Sequence, residues 1–433
     1  MWTWGRCGGG PLPVAEPTKN FRYGHNSAKG AARSRSFCVG AEDHRGCGDN
    51  GLVKSWVEIS GARLVENLRA VQAVAGAGVE TLGVVKANGY GHDAVLVARV
   101  LVDAGMRWLG VSDVEEGARV RAEVGVGPRL LVMCWIELAD CKEVVQHGLT
   151  PVVWTVEQIA ALEREGEAVG QLVRVHLEID TGMARQGIDL DGLAAVAERL
   201  AGSKWVVCEG ILSHLSSAED AGSVVTERQR SKFGKALEVI VEHGVRPELV
   251  HLGNTSGVDE GSTMEWVRGV AETMGARVMV RTGFALYGYC LPLDTGVAGA
   301  LRTRVKPVLT WKTRVIGVRE IQAGTTVGYG ATFVAKSLMR LALLPVGYAD
   351  GFRRAGSSGL GDGWVMIAGQ RARVVGRVSM NLITVDVTDI AGVAVGDEVV
   401  LLGEGVSAEE HARWSGTIAY DILCGIRAKF RVI

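Results

Sequence analysis

The stretch ETLGVVKANGYGHDAVLVARVL, residues 80–101, decides the fold. Leu82–Val85 is apolar and β-branched and predicts a buried strand; Lys86–His92 is a polar, glycine-broken turn; Ala94–Leu101 predicts a helix. A lysine at the C-terminal end of a buried strand has little water to hold its charge. It must find a partner or act as an amine nucleophile of the kind Schiff-base chemistry requires.

The same strand–turn–helix alternation extends outward from about Ala62 to Pro292. Further strands are expected at Trp108–Val111, Leu130–Met133, Val152–Trp154, Val173–Ile179, Gly210–Ser213 and Leu249–Leu252. Helices are expected at Ala62–Val74, Ala94–Ala104, Val114–Glu123, Val156–Glu165, Leu193–Leu200 and Thr226–Glu242. Repeated βα units of this length imply an α/β domain with a parallel sheet, and the pattern leaves open a closed barrel or an open doubly wound sheet. Beyond Pro292 the pattern changes to short β-rich runs, Val305–Ile316, Leu341–Val346, Trp364–Ile367, Arg371–Val375 and Val399–Leu402, separated by Gly and Asp turns. These predict a second, mostly-β domain.

The 433 residues suffice for two domains with large cores. A formal net charge of -1 gives no electrostatic case for nucleic acid or an anionic membrane surface, and no apolar run is long enough to span a bilayer. The eight cysteines, at positions 7, 38, 47, 134, 141, 208, 290 and 424, form no CxxC pair and no zinc spacing, so they read as reduced cytosolic thiols. His44 and Cys47 lie close together, but two ligands do not make a metal site, and none is expected. Residues 1–53 are rich in Gly, Arg, Ser and Pro without periodicity and lack an apolar signal core. They read as a disordered or non-conforming extension, with an organelle transit peptide as the weaker alternative.

VVKANGYGHD resembles the cofactor-lysine motif of the alanine racemase family, which uses pyridoxal 5'-phosphate (PLP). The resemblance continues through SWVEISGARLVENLRAV, HLEIDTGMARQG, ILSHLSSAED, HLGNTS, VRTGFALYG, VGYGATF, LPVGYADG and VGRVSMN, in order, over roughly Lys54 to Ile433. It implies an N-terminal (β/α)8 TIM-like barrel over residues 54–292, whose first strand (54–60, here Ser55–Ile59) joins a C-terminal mostly-β domain over 293–433. It also implies a cytoplasmic homodimer with shared active sites, interconverting L- and D-alanine for peptidoglycan.

Racemisation needs one acid–base group on each face of the substrate α-carbon, while PLP supplies the electron sink. The resemblance assigns these roles to Lys86, which also binds the cofactor, and to Tyr329. His214 and Arg281 match the residues that polarise the tyrosine. Arg281 also matches an arginine facing the pyridine nitrogen; because a guanidinium accepts no proton, the ring stays a weaker sink and proton transfer is favoured over transamination. Tyr90, Thr255, Gly283 and Phe284 match the phosphate grip. Arg185 and the Met380 N–H match the substrate-carboxylate contacts, and Tyr348 resembles a residue at a narrow substrate mouth. Three positions depart from the family pattern: Asn381 stands where many members have an acid, Glu178 where many have a carbamylated lysine, and Ala428 where a further phosphate-binding tyrosine is common. Glu178 is expected to accept hydrogen bonds from Arg185. A broader racemase acting on, for example, serine, a decarboxylase of the same architecture and a non-catalytic PLP-binding module remain as alternatives. Arg281 argues against the decarboxylase, and a β domain supplying Tyr329 and Met380 argues against the binding module.

Overall fold

The computed structural model describes residues 53–220, 222–294 and 299–433. The expected disordered extension, with Cys7, Cys38, His44 and Cys47, lies outside the described residues up to residue 52. The first strand, β1 (Ser55–Ile59), is followed by eight parallel strands: β2 (Glu80–Val84), β3 (Trp108–Val111), β4 (Arg129–Val132), β5 (Thr150–Val153), β6 (Val173–Glu178), β7 (Val206–Leu212), β8 (Leu249–His251) and β9 (Arg277–Thr282). β2–β9 close into a barrel, with β9 pairing back to β2 through Glu80↔Met279 and Gly83↔Thr282. The doubly wound alternative is thereby excluded.

Strand alternation sorts the side chains between two cores. Leu82, Val84, Trp108, Leu131, Val152, Leu212, Leu249 and Met279 fill the barrel interior. The alternate positions, such as Leu109, Leu130, Val175, Ile211, Val250 and Val280, pack outward against the helices. Helix Gly61–Ala75 presents Leu64, Leu68 and Val71 on one buried stripe, the period an amphipathic helix requires. The helix starts are encoded locally. Ser60, Asp113, Thr155, Asp189 and Ser223 each accept a hydrogen bond from a first-turn N–H, the Thr155/Gln158 pair closing a full capping box.

The remaining strands are β10 (Leu309–Arg314), β11 (Gly317–Ile321), β12 (Thr326–Val327), β13 (Phe333–Val334), β14 (Met339–Leu344), β15 (Trp364–Ile367), β16 (Gln370–Arg373), β17 (Ile383–Asp386), β18 (Glu398–Leu402) and β19 (Lys429–Val432). They form a six-stranded sheet in the order β16-β15-β18-β10-β1-β19, a three-stranded sheet β11-β14-β17 and the small ribbon β12–β13. β1 sits inside the larger sheet, antiparallel to β10 and parallel to β19, so the beginning of the described chain completes the C-terminal domain.

Three differences from the sequence reading stand out. β9 was not among the expected strands, because its inward positions are Met279 and Arg281 and a buried arginine masks the apolar alternation. Helix Ser262–Thr273 was also missed, as was the pair Ala408–Ser415 and Ala419–Cys424, each of eight residues or fewer. The Lys86–His92 turn is wound as a left-handed helical turn: Ala87, Asn88, Gly89 and Tyr90 have φ of 53°, 53°, 65° and 52°.

Two buried histidines give the fold a pH dependence. Burial lowers His92 and His411 from 6.5 to about 4. Both are therefore neutral in the folded state at pH 5 but protonated once unfolded, so stability present above pH 6.5 drains as pH falls toward 4. Each contributes a loss on the order of 2 kcal/mol at pH 5. Thermal unfolding followed by circular dichroism should show Tm falling between pH 7 and 5, before most carboxylates titrate; a flat Tm over that range would contradict the neutral assignment.

Candidate active site at the C-terminal rim of the barrel

A cavity of about 470 Å³ opens at the C-terminal ends of the barrel strands, where barrel enzymes place their chemistry. Lys86 reaches it from the turn after β2, Glu178 from the end of β6, Arg185 and Gln186 from the following loop, and His214 from the segment after β7. Asn254, Thr255 and Ser256 follow β8, Arg281 is on β9, and Gly283 and Phe284 follow it. Tyr420, from helix Ala419–Cys424 of the β domain, completes the wall.

The Lys86 turn carries real strain, since each non-glycine left-handed residue costs about 1–2 kcal/mol. Buried polar contacts hold it. The Asn88 N–H donates to Glu116 Oε1 at 2.8 Å and its side-chain oxygen accepts from Ala94 N at 3.1 Å. Glu116 is buried and held in turn by the Ser112 N–H and hydroxyl, at 2.8 and 2.7 Å. Such strain fixes the exit direction of the lysine. Among the described residues no carboxylate lies within ion-pair distance of Lys86.

Arg281 forms the buried floor. Its Nη2 donates to Ser213 O at 2.7 Å and contacts His214 Nδ1 at 3.2 Å; its Nη1 donates to His251 O at 2.9 Å and contacts His251 Nδ1 at 3.2 Å. A guanidinium only donates. Both imidazoles must therefore present a bare Nδ1 and carry their proton on Nε2. Burial, and then the charges of Arg281, Arg185 and Lys86, drive His214 down to about 3. Burial also draws Arg281 down to about 10, opposed by the Glu178 carboxyl.

At the mouth, the structure corrects the expected Arg185–Glu178 hydrogen bond. Glu178 is buried and takes its hydrogen bond from the Gln186 amide, which also donates to Met133 O at 2.9 Å. Arg185 is exposed and acts on Glu178 through its charge alone. Burial raises the Glu178 carboxyl above its usual range, against the pull of Gln186, Arg281 and Arg185. Gln186 went unnoticed in the sequence because it directly follows the more conspicuous arginine.

Opposite, Tyr90, Thr255, Gly283, Phe284 and Tyr420 gather. A Cβ on Gly283 would lie 2.7 Å from Tyr90 Oη, so only glycine leaves this corner open. Thr255 Oγ1 accepts from Ala285 N at 3.5 Å, and Tyr420 stacks on Phe284 with ring centroids 3.7 Å apart. Tyr420 was not singled out from the sequence, while Ala428 does not line the cavity.

Three expected site residues are not brought to this cavity. Tyr329, between β12 and β13, is 70% exposed; Tyr348 and Met380 are 44% and 55% exposed. These three lie on the β domain, with the Tyr348 and Met380 loops joined through Tyr348 N→Ser379 O and Ala349 N→Met380 O, 3.1 and 3.0 Å.

A strand-end lysine, a buried arginine under the cavity floor and a hydroxyl-lined corner on a parallel barrel define a cofactor-dependent barrel enzyme. Comparison with known proteins makes this specific. Family models described as alanine racemase, N-terminal domain, and alanine racemase, C-terminal domain, match residues 59–291 and 308–433. The alanine racemase of Symbiobacterium thermophilum is 37% identical over 381 residues, 87% of this chain and 96% of that protein. That of Syntrophobacter fumaroxidans is 36% identical over 387 residues, 88% and 97% of the two chains. Among solved structures, alanine racemase from Streptomyces lavendulae superposes with a TM-score of 0.79 at 30% identity, covering 88% of this chain and 97% of that one. Alanine racemase from Bartonella henselae with covalently bound pyridoxal phosphate gives 0.75 at 27%, covering 88% and 99%. The chain belongs to the alanine racemase family, whose members are PLP-dependent isomerases.

The cavity fits that cofactor. It offers an amine at a fixed strand end, a corner of hydroxyls cleared by Gly283, and a buried cation in the same lining. Gly283→Ala should fill the corner, displace Tyr90 and weaken PLP binding by about 10-fold or more, the loss of one charge-assisted hydrogen bond. Equilibrium dialysis of PLP against the folded variant measures this, and wild-type affinity would show that the corner does not hold the phosphate.

Proposed function

We propose that this chain is an alanine racemase that works by two bases, as a cytoplasmic homodimer with shared active sites, supplying D-alanine for peptidoglycan. The observation carrying this reading is the division of its chemistry. The barrel cavity gathers Lys86, His214, Arg281 and Arg185, while Tyr329, Tyr348 and Met380 stand exposed on the β domain. A second copy placing its β domain over this cavity would complete each site. We place the domain boundary as above, with residues 54–292 as the barrel and 293–433 as the β domain.

Tyr90, Thr255, Gly283 and Phe284 would hold the PLP phosphate, with Tyr420 beside them. Lys86 Nζ would hold the cofactor covalently, and Arg281 would face its ring nitrogen. When bound, PLP supplies the electron sink that makes the alanine Cα–H acidic enough to remove.

The protein's own groups then handle the proton. Arg185 and the N–H of the partner's Met380 bind and orient the alanine carboxylate, the arginine by its planar fork. Lys86 Nζ exchanges the α-proton on one face and the partner's Tyr329 Oη on the other. A phenol near 10 needs help to act as a base. His214 can give it: its Nδ1 faces Arg281, so its Nε2–H is left to donate, and donation to the phenolate oxygen favours the ionised form. The partner's Tyr348 narrows the mouth, which suits the methyl side chain of alanine. Glu178 supports Arg185 as a nearby charge, and because glutamate carries its charge without carbamylation, activity should be independent of dissolved carbon dioxide.

Subunit mixing tests the shared site. Lys86→Ala and Tyr329→Phe should each be inactive alone, Tyr329→Phe by at least about 100-fold, the lower range for a lost general base. Mixed and allowed to exchange, they should regain D-alanine formation, because the hybrid dimer contains one intact site. Exchange without recovery would count against the shared site.

A further inference from the structure

Below Arg281 the barrel interior contains polar groups that the reaction does not touch. His251 Nε2 lies 2.9 Å from His176 Nδ1, and His176 Nε2, which has no hydrogen-bond partner, faces the Glu209 carboxylate across 3.6 Å, an electrostatic contact rather than a hydrogen bond. Arg129 grips Glu209 with both arms of its fork, at 2.8 and 2.6 Å, with Arg174 at 3.4 Å. Both histidines are fully buried and Glu209 is 5% exposed. We propose that Glu209 is a positioning residue for the active site: acting through His176 and His251, it fixes the orientation of Arg281 from the far side of the barrel. The inference deepens the racemase reading and rests on it.

Proton accounting requires the chain to run in one direction. Arg281 can only donate, so His251 accepts at Nδ1 and carries its proton on Nε2. That proton points at His176 Nδ1, which must accept, leaving the His176 proton on Nε2. That N–H faces a carboxylate, which only accepts. Arg281, His251, His176 and Glu209 therefore all point the same way, with a cation at one end and an anion at the other. Burial opposes the Glu209 charge, but His176 and the Arg129 fork outweigh it and hold the carboxyl below its usual range. A group that donates at the Glu209 position would reverse both imidazoles and set His251 Nδ1–H against the Arg281 guanidinium.

The backbone is built around this chain. The β6–β7 register shifts between Val175 and His176: Val175 pairs with Cys208 and His176 with Gly210, so Glu209 is the extra residue of a β-bulge. The bulge lets successive residues face the interior, Glu209 toward Arg129 and Gly210 against the His176 ring. A Cβ on Gly210 would lie 2.7 Å from both Nδ1 and Cε1 of His176.

Long-range 1H–15N NMR on the histidine-labelled holoenzyme reads the tautomers directly. Wild type should show His176 and His251 both neutral and protonated on Nε2. Glu209→Gln can donate to His176, so it should reverse or mix both tautomers. It should also lower kcat by about 10-fold or more, with the alanine KM little changed, as expected for losing a buried negative charge facing the imidazole chain, away from the carboxylate site. Gly210→Ala should displace His176 and act in the same direction. Glu123→Gln, which removes the charge from the exposed pair with Arg99, should leave tautomers and kcat unchanged. The proposal is overturned if either wild-type imidazole carries its proton on Nδ1. It is equally overturned if Glu209→Gln leaves the tautomers unchanged, or changes them without lowering kcat. The wild-type tautomers decide the question even if a variant does not fold. Absence of racemase activity in wild type would instead sink the functional reading and leave the tautomer result standing.

Discussion

A buried guanidinium with no acceptor capacity organises the centre of this protein. Arg281 is 3% exposed, and burying an unpaired charge costs far more than a fold can offset elsewhere. Its surroundings are consequently all acceptors: the carbonyls of Ser213 and His251 and the bare Nδ1 atoms of His214 and His251. Its donor-only chemistry sets the protonation of both imidazoles. One carries its N–H toward the cavity and the other toward the barrel interior. The same cation thus fixes the donor presented toward the cavity and the direction of the buried chain beneath it.

The barrel rim and the β domain divide the remaining work. The rim supplies what must be rigid: the strained turn that aims Lys86, the corner cleared by Gly283 and the floor of Arg281. The β domain displays Tyr329, Tyr348 and Met380 on exposed loops. Tyr420 belongs to the β domain yet lines the same chain's cavity, so this domain contributes to the wall within one chain.

Much of this was legible in the sequence wherever a local rule and a side chain's role coincide. Ser60, Asp113 and Thr155 announce helix starts because capping depends on neighbouring residues. Lys86 is conspicuous because a strand-end lysine before a glycine turn conflicts with burial. The barrel's closure is not local, and the period of βα units is the same for open and closed sheets; the resemblance to a family, not the period, favoured the barrel. β9 was hidden because Arg281 occupies an inward position that would normally be apolar. Glu209 was invisible for a related reason: a bulge changes which face a residue presents, and alternation read from sequence assumes there is none. Gln186 displaced Arg185 as the hydrogen-bond partner of Glu178 because the loop's path, not the spacing, decides which side chain reaches the carboxylate.

The central claim is that two bases on opposite faces of one cavity exchange the α-proton, and isotope tracing tests it most directly. L-alanine carrying deuterium at Cα would be converted in ordinary water and the first D-alanine formed analysed by mass spectrometry. If one of Lys86 and Tyr329 removes the deuterium from one face and the other delivers its own proton on the opposite face, the D-alanine should carry solvent hydrogen at Cα from the earliest turnovers. D-alanine that retains the deuterium would mean that a single group both removes and returns it, and would contradict the account.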